Sequence, residues 1–411
     1  MDIPLAVFVL GFGIFSMTSS EFMMSGLMPQ VAEGLGVSIV EVGYLISTFA
    51  IGMVVGGPLL TFALLRLPRK KALLVLAAIF VAGDVLGALA PSYPVMVAAR
   101  LITGVASSAF FGTSLAVAAD LVPENQRGRA SSIVLGGLMI GTVIGLPLAT
   151  AVGQLTGWRT SFWMIGCLTA AAGVLIASLV PRDSVPERID ARAELAAFRN
   201  GMLWSAYASS TLIIGAVFAG FSYFTPIFTQ VSGFDAAAVP VLLAAYGIAT
   251  VAGNVIVGRL ADRWTMFVQI GGLIVLTVFL SVFALGASSR ILVVVSLVAI
   301  GAVGVSMNPA MVARVMRVAD GRPLVNTVHT SVINVGILLG SWIGGLTISA
   351  GLGLVAPLWT GAVFALLALV SVAPFVYSRR HGAAPRDSQR GLAAVDEPRT
   401  GADPNRSGGH V

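Results

Sequence analysis

The feature that most constrains this chain is Val95–Ala119, VMVAARLITGVASSAFFGTSLAVAA, 25 residues apolar but for small hydroxyls and one charge, Arg100. A stretch of about 20 apolar residues crosses a bilayer. An arginine inside such a span is expensive and marks function by default, with a partner to be found elsewhere in the membrane. Gly104, Ser107 and Ser108 follow at one- and two-turn spacing. They give the arginine side of the helix a small-residue surface on which another helix can pack closely. The alternative is a buried arginine that only locks two helices together.

The rest of the chain agrees with a membrane setting. Only 10% of its 411 residues are charged and 57% are hydrophobic, whereas soluble domains carry about 25% charged residues. The apolar runs predict twelve spans, near 4–29, 41–65, 72–90, 95–119, 130–156, 160–180, 202–229, 238–258, 266–287, 291–313, 325–350 and 354–377. The expected fold class is therefore all-α, with twelve transmembrane helices in two pseudo-symmetric six-helix bundles. The expected domains are an N-terminal bundle over 1–180, a cytoplasmic central loop over 181–201, a C-terminal bundle over 202–377 and a disordered cytoplasmic tail over 378–411. The start, MDIPLAVFVLGFGIF, has no basic n-region, so it reads as the first span and not as a removed signal.

Charge sets the expected orientation. With both termini in the cytoplasm, all 24 basic residues fall inside except Arg159 and Arg290, which lie outside, and Arg100, which lies within a span. This asymmetry accounts for the net charge of +6, so it does not point to nucleic acid. Cys167 is the one cysteine, which excludes an intrachain disulfide. Three histidines, two of them in the tail, are too few for a usual metal site. The lysines, Lys70 and Lys71, lie in no P-loop. No metal, no cofactor and no enzymatic constellation is expected, and whatever the chain moves through its membrane is not driven by an ATPase of its own.

The two halves look like repeats. A shift of 197 lays residues 48–66 on 245–263, so that Ile51 meets Ile248, Gly56 meets Gly253 and Arg66 meets Arg263. Gly141-x-x-x-Gly145 likewise matches Gly336-x-x-x-Gly340 at a shift of 195. Two such halves related by an axis along the membrane normal imply a substrate site between them near the midplane.

These residues resemble the major facilitator superfamily, and within it the twelve-span drug:proton antiporters. The family's loop motif, roughly G-x-L-a-D-r-x-G-r-k, is kept in the second half as Gly258-Arg-Leu-Ala-Asp262-Arg263. In the first half it survives as Arg66 and Arg69-Lys70-Lys71, with Leu65 in place of the aspartate and Pro68 in place of the glycine. Arg100 and Gly104 match the fourth-span R-x-x-x-G, whose arginine the family associates with proton coupling. Gly141, Gly145 and Pro147 approximate the antiporter signature g-x-x-x-G-P-x-x-G-G, with the proline one place late and Ala149 for a glycine. The stretches Thr18–Pro29, Gly157–Trp163 and Phe221–Pro226 look like the actinomycete chloramphenicol-resistance exporters and, more distantly, bacterial sugar-efflux permeases.

The resemblance implies a proton-coupled exporter of a small amphipathic drug, chloramphenicol first, working by alternating access. A sugar or metabolite exporter is the alternative within transport, and a non-transporting sensor the alternative outside it. Glu21 and Asp84 are the acidic residues well inside spans. At about 1.5 Å per residue, Glu21, Asp84 and Arg100 lie in the outer half of the membrane at comparable depth. A dry cavity favours the protonated carboxyl and a nearby guanidinium the ionised one, so a change in their separation loads and releases a proton. Glu21 is the expected carrier, with a fixed salt bridge as the alternative. Asp84 is the weaker candidate, because in this family the third span is usually peripheral. Family geometry puts spans 1, 4, 7 and 10 on the cavity. Met17, Met24, Phe111, Phe218, Phe221, Tyr223, Met307 and Asn308 become candidate wall residues, suited to apolar ligands. Asp262 between Arg259 and Arg263 reads as a cytoplasmic latch. Asn254, Asn308, His329 and Asn334 are polar residues in apolar spans of the second half, and interhelical hydrogen bonding is their alternative role.

Overall fold

Long apolar stretches with almost no charge satisfy their backbone groups in lipid only as helices or closed barrels, and here they are helices. The structure, a computed structural model, describes residues 3–64, 67–181, 197–318 and 323–381. Eleven helices among these residues are long and apolar enough to span a membrane. They are α1 (Leu5–Gly26), α2 (Ile39–Leu64), α3 (Arg69–Ala88), α4 (Tyr93–Asp120), α5 (Glu124–Thr156) and α6 (Trp158–Leu179), followed by α7 (Gly201–Val231), α8 (Ala236–Ala261), α9 (Arg263–Leu285), α10 (Arg290–Val318) and α11 (Val328–Leu352). A shorter apolar helix, α12 (Ala356–Val372), completes the expected twelve. The chain is an all-α, multi-pass membrane protein. Residues up to Val372 form one compact unit.

Local chemistry sets the helix ends. Ser38 caps α2 by accepting from the Glu41 amide at 3.2 Å, while the Glu41 carboxylate accepts from the Ser38 amide at 2.8 Å. Asn200 caps α7 through the Met202 amide. Gly157, at φ 96°, adopts the backbone that turns α5 into α6. Arg69 and Asp120 form an ion pair between the start of α3 and the end of α4. Large apolar side chains face outward along the spans, as at Phe62, Val174 and Phe267. Apolar residues on all sides of a helix are what a lipid environment permits.

Two expectations change. The motif Gly258–Arg263 is not a loop: one helix runs Val239–Leu285, broken only at Trp264 (φ −125°, ψ 31°), so the motif ends α8. The last helix continues to His381, four residues into the expected tail. The fifth and second spans contain π-helical turns, Gly141–Gly145 and Gly52–Gly56. Each turn is followed two residues later by a proline, Pro147 and Pro58. Proline has no N–H to donate within a helix, and the wider turn absorbs the missing bond. Leu65, Arg66, most of the expected central loop (182–196), Arg322 and the rest of the tail (382–411) lie outside the described residues.

The internal repeat reappears as paired contacts. Gly104 of α4 lies against the Phe49 carbonyl of α2, and Gly301 of α10 lies against the Tyr246 carbonyl of α8. Gly56 faces Val105, and Gly253 faces Ala302. Each pair maps onto its counterpart at the shift of 197 read from the sequence. A side chain at any of these glycines would collide with the neighbouring helix.

Candidate functional site

Arg100 is completely buried. The close approach at Gly104 brings α2 against α4, and the Arg100 guanidinium lies over the Phe49 ring at 4.4 Å. Its Nη1 donates to the Ser20 carbonyl at 3.0 Å and to Ser20 Oγ at 3.4 Å. Nη2 donates to the Glu21 carbonyl at 3.2 Å. The arginine thus reaches Glu21 through the backbone and not through its carboxylate. Glu21 is half-buried, and among the described residues its carboxylate has no hydrogen bond or ion pair.

Asp84, from α3, is fully buried beside this group despite its supposedly peripheral helix. Its Oδ1 accepts from Ser20 Oγ at 3.1 Å, and Oδ2 has no partner. Ser20 therefore links the arginine to the aspartate: its hydroxyl donates to Asp84 and accepts from Arg100. Ser20 and Phe49 were not legible as site residues. Ser20 carries only adjacency to Glu21 as a signal, and Phe49 only its place in an apolar span. At the 197 shift, Arg100 corresponds to Leu297, which is also fully buried, so the charged cluster belongs to the first half alone.

A second feature lies between the halves. Phe22 of α1, Leu138, Met139, Thr142 and Leu146 of α5, Phe218 and Phe221 of α7, Tyr246 and Thr250 of α8, and Val305 of α10 line a small cavity. Its aromatic side is tightly knit: Phe22 stacks on Phe218 at 5.9 Å, and Phe221 meets Tyr246 at 5.0 Å. Of the sequence candidates for the cavity, Phe218 and Phe221 line it. Met17, Met24 and Met307 are core residues, buried to 1% exposure or less. Phe111 is half-buried against the core. Asn308 is half-buried just past the bend in α10, with its Oδ1 unpartnered. Tyr223 is fully buried and works elsewhere. Family geometry did not include α5 and α8, so Thr142, Tyr246 and Thr250 were missed.

Tyr223 takes part in a hydrogen-bonded seam joining α7, α11 and α2. Its hydroxyl donates to the Ser341 carbonyl at 3.0 Å, Ser341 Oγ donates to the Gly43 carbonyl at 2.9 Å, and Ser47 Oγ donates to the Leu338 carbonyl at 3.3 Å. Gly345 makes room for it, since a Cβ there would lie 2.6 Å from the Tyr223 hydroxyl.

The remaining candidates are dispersed. His329 is buried, with Nε2 2.9 Å from Ser210 Oγ and its ring stacked on Tyr207 at 5.9 Å. Asn334 donates to its own helix at the Thr330 carbonyl, 3.0 Å, and Asn254 is half-buried. The three do not share a hydrogen-bond network among the described residues. Gly141 and Gly145 pack on Thr18 and Ser19 of α1, and Pro147 follows them. At the end of α8, Gly258 faces open space and Arg263 lies over the Trp264 ring at 5.7 Å. The Asp262 side chain lies outside the described residues, and with it the expected latch.

Comparison with known proteins follows this geometry. The family model described as Major Facilitator Superfamily matches residues 10–328. The chain is 34% identical over 373 residues to the inner membrane transport protein YdhP of Escherichia coli (strain K12), covering 90% of this chain and 96% of that protein. It is 33% identical over 377 residues to a chloramphenicol resistance protein of Streptomyces lividans, again covering 90% and 96%. A solved bacterial homolog of the human lysosomal transporter Spinster, in an inward-facing and unoccupied conformation, shares the fold with a TM-score of 0.69. That likeness is at 15% identity, covering 91% of this chain and 96% of the other.

Proposed function

The chain belongs to the Major Facilitator Superfamily, so it is a membrane transporter and not an enzyme, and on that premise we propose that it exports small amphipathic drugs, phenicols first, in exchange for protons. The observation that carries this reading is the buried Arg100–Ser20–Asp84 cluster, with the unpaired Glu21 carboxylate beside it and an aromatic cavity beginning at the next residue, Phe22. A buried charge without a counter-ion in hydrogen-bonding contact is costly and is retained in a membrane for function. The kinship to a chloramphenicol resistance protein supports phenicols as the first substrate to test.

In this mechanism Glu21 takes a proton at the cavity side, and Arg100 holds the backbone of α1 so that movement of α1 against α4 changes the distance between charge and carboxylate. Asp84 shares the site through Ser20. Rocking of the two repeats about the cavity exchanges access between the two membrane faces. Both termini lie in the cytoplasm, following the arginine distribution, and the protein acts as a monomer in the bacterial plasma membrane. Sugar export is the weaker reading, because the cavity offers a polyol only three hydroxyls among apolar side chains.

The test is accumulation of labelled chloramphenicol in cells expressing wild type or Glu21→Gln, with and without a proton uncoupler. Wild type is expected to lower accumulation several-fold, and both the uncoupler and the substitution to restore it. Unchanged accumulation at good expression overturns the phenicol assignment. Export that survives both the uncoupler and the substitution overturns the proton assignment.

A further inference from the structure

Resting on the proton-exchange reading, the interior of the charged cluster gives Ser20 a part of its own. Ser20, Asp84 and Arg100 are all fully buried, and between the acid and the base stands one hydroxyl. Ser20 Oγ lies 3.1 Å from Asp84 Oδ1 and 3.4 Å from Arg100 Nη1. A guanidinium offers donors only, and an ionised carboxylate acceptors only. The serine proton is therefore fixed: it is turned to Asp84, and a lone pair faces Arg100. The same Nη1 holds the Ser20 carbonyl at 3.0 Å, so the side chain and backbone of one residue are gripped together. The ionisable groups around Asp84 are Arg100 of α4 and, beside Ser20 on α1, Glu21. Helix α3 packs on α4 and α6. From α4, Thr103 packs on Gly83 and spends its hydroxyl on its own helix at the Ala99 carbonyl. From α6, Gly166 faces the aspartate, where a Cβ would lie 3.6 Å from that of Asp84. Asp84 Oδ2 has no partner among the described residues, which makes it the atom open to a proton.

We propose that Ser20 is a positioning residue of proton exchange, whose hydroxyl passes the charge state of Asp84 on to Arg100 and to α1. With Asp84 ionised, Ser20 donates to Oδ1, and α1 is tied to α3 and α4 at one point. A proton that binds Oδ2 cancels the charge of the carboxylate. The bond from Ser20 then changes from charge-assisted to neutral and loses about half its strength. The hydroxyl becomes free to turn to a carbonyl one turn back on its own helix, a bond open to any serine in a helix. Its neighbour Ser19 already bonds in this way, to the Phe15 carbonyl at 2.7 Å. After the turn, Arg100 Nη1 keeps the Ser20 carbonyl and loses the Ser20 oxygen. The part of α1 that carries Glu21 and Phe22 is thereby loosened from α3 and α4. When the proton leaves Oδ2, the carboxylate recaptures the hydroxyl and the tie returns. No proton passes through the serine, which only rotates.

Purified protein in proteoliposomes, with labelled chloramphenicol as the probe, tests this in two modes. One is uptake driven by an imposed proton gradient, and the other is exchange against unlabelled drug without a gradient. Their ratio reads coupling, because a loss of fold or of drug binding lowers both modes alike. Ser20→Ala is expected to lower the ratio by about 3–10-fold, the scale of one hydrogen bond. Ser20→Cys, close to serine in volume but a poor donor, is expected to lower it in the same direction, and Ser20→Thr, which keeps the hydroxyl, to restore it. Asp84→Asn is expected to lower the ratio too. The double variant Ser20→Ala/Asp84→Asn is expected to fall no further than Asp84→Asn alone, since the serine acts through the aspartate. A wild-type ratio in Ser20→Ala or Asp84→Asn, an equal fall of both modes in the alanine and cysteine variants, a ratio that Ser20→Thr does not restore, or multiplied losses in the double variant overturns the proposal while leaving drug export intact. Wild type that exchanges drug but ignores the gradient overturns the proton-exchange reading, and wild type that moves no drug in either mode overturns the export reading, each taking the proposal with it.

Discussion

Arg100 is held by geometry that only a guanidinium satisfies. Two nitrogens of one planar fork reach two successive carbonyls, those of Ser20 and Glu21, while the flat face rests on Phe49. A lysine keeps the charge but neither the fork nor the stack. Arg100→Lys is therefore expected to lower the stability of the detergent-purified protein by about 1.5–3 kcal/mol, the value of a charged hydrogen bond, and to reduce export at least as much as Glu21→Gln does. A thermal melt and the accumulation assay check this; a melt within a degree of wild type refutes the clamp. The sequence makes Arg100 and Gly104 stand out because charge and small residues are rare events in an apolar span. Ser20, Phe49 and Tyr223 do not stand out. A serine, a phenylalanine or a tyrosine in a membrane helix is ordinary, and what each does depends on which helix faces it across more than twenty intervening residues. Asp84 was discounted on the usual position of its helix, yet it is buried where α3 packs on α4 and α6, and its carboxylate reaches Ser20 of α1.

The elements show a rule that pattern reading passes over. Apolar periodicity located all twelve spans to within a few residues, because a long apolar run has few ways to satisfy its backbone in lipid. The same periodicity is blind to a single π turn, which adds one residue without changing composition. Gly141–Gly145 followed by Pro147, and Gly52–Gly56 followed by Pro58, share a local signal, a glycine pair four apart with a proline two places on, that the π turns at Ile227–Val231 and Ile348–Leu352 lack. It matters because the first of these turns packs on α1 at Thr18 and Ser19, next to the charged cluster. Pro147→Ala restores an N–H to the helix and removes the reason for the wider turn. It is expected to raise thermal stability by about 1 kcal/mol while lowering export several-fold, a divergence that a melt and the accumulation assay read together. Lowered stability would show that the turn is held by packing and not by the proline. The Gly258–Arg263 motif illustrates the opposite error, in which charged residues read as a loop although the backbone stays helical from the last turn of α8 to Arg263 at the start of α9, and the break comes only at Trp264.

For the whole molecule, the repeat proved to be structural. Gly104 on Phe49 and Gly301 on Tyr246 are one contact made twice, so the offset of 197 was a true statement about backbone approach. What the repeat does not carry is the charged cluster: the second half has Leu297 where Arg100 would be and buries its own arginine, Arg314, elsewhere, while the cavity draws its threonines from both halves. The halves also meet at the seam of Tyr223, Ser341, Gly43 and Ser47. The proposed alternating access requires this seam to part. Tyr223→Phe deletes one of its bonds, worth about 1 kcal/mol, and is expected to move the distance between spin labels at the exposed Glu33 and Ser349 toward longer values, read by pulsed electron resonance. An unchanged distribution would show that the seam does not restrain opening.

The three bonds of that seam run from hydroxyls to carbonyls, with no ionised partner in any of them. Coulomb attraction between full charges weakens as ions screen it, whereas these bonds have no such handle. A seam fastened in this way is therefore expected to hold alike at low and high ionic strength.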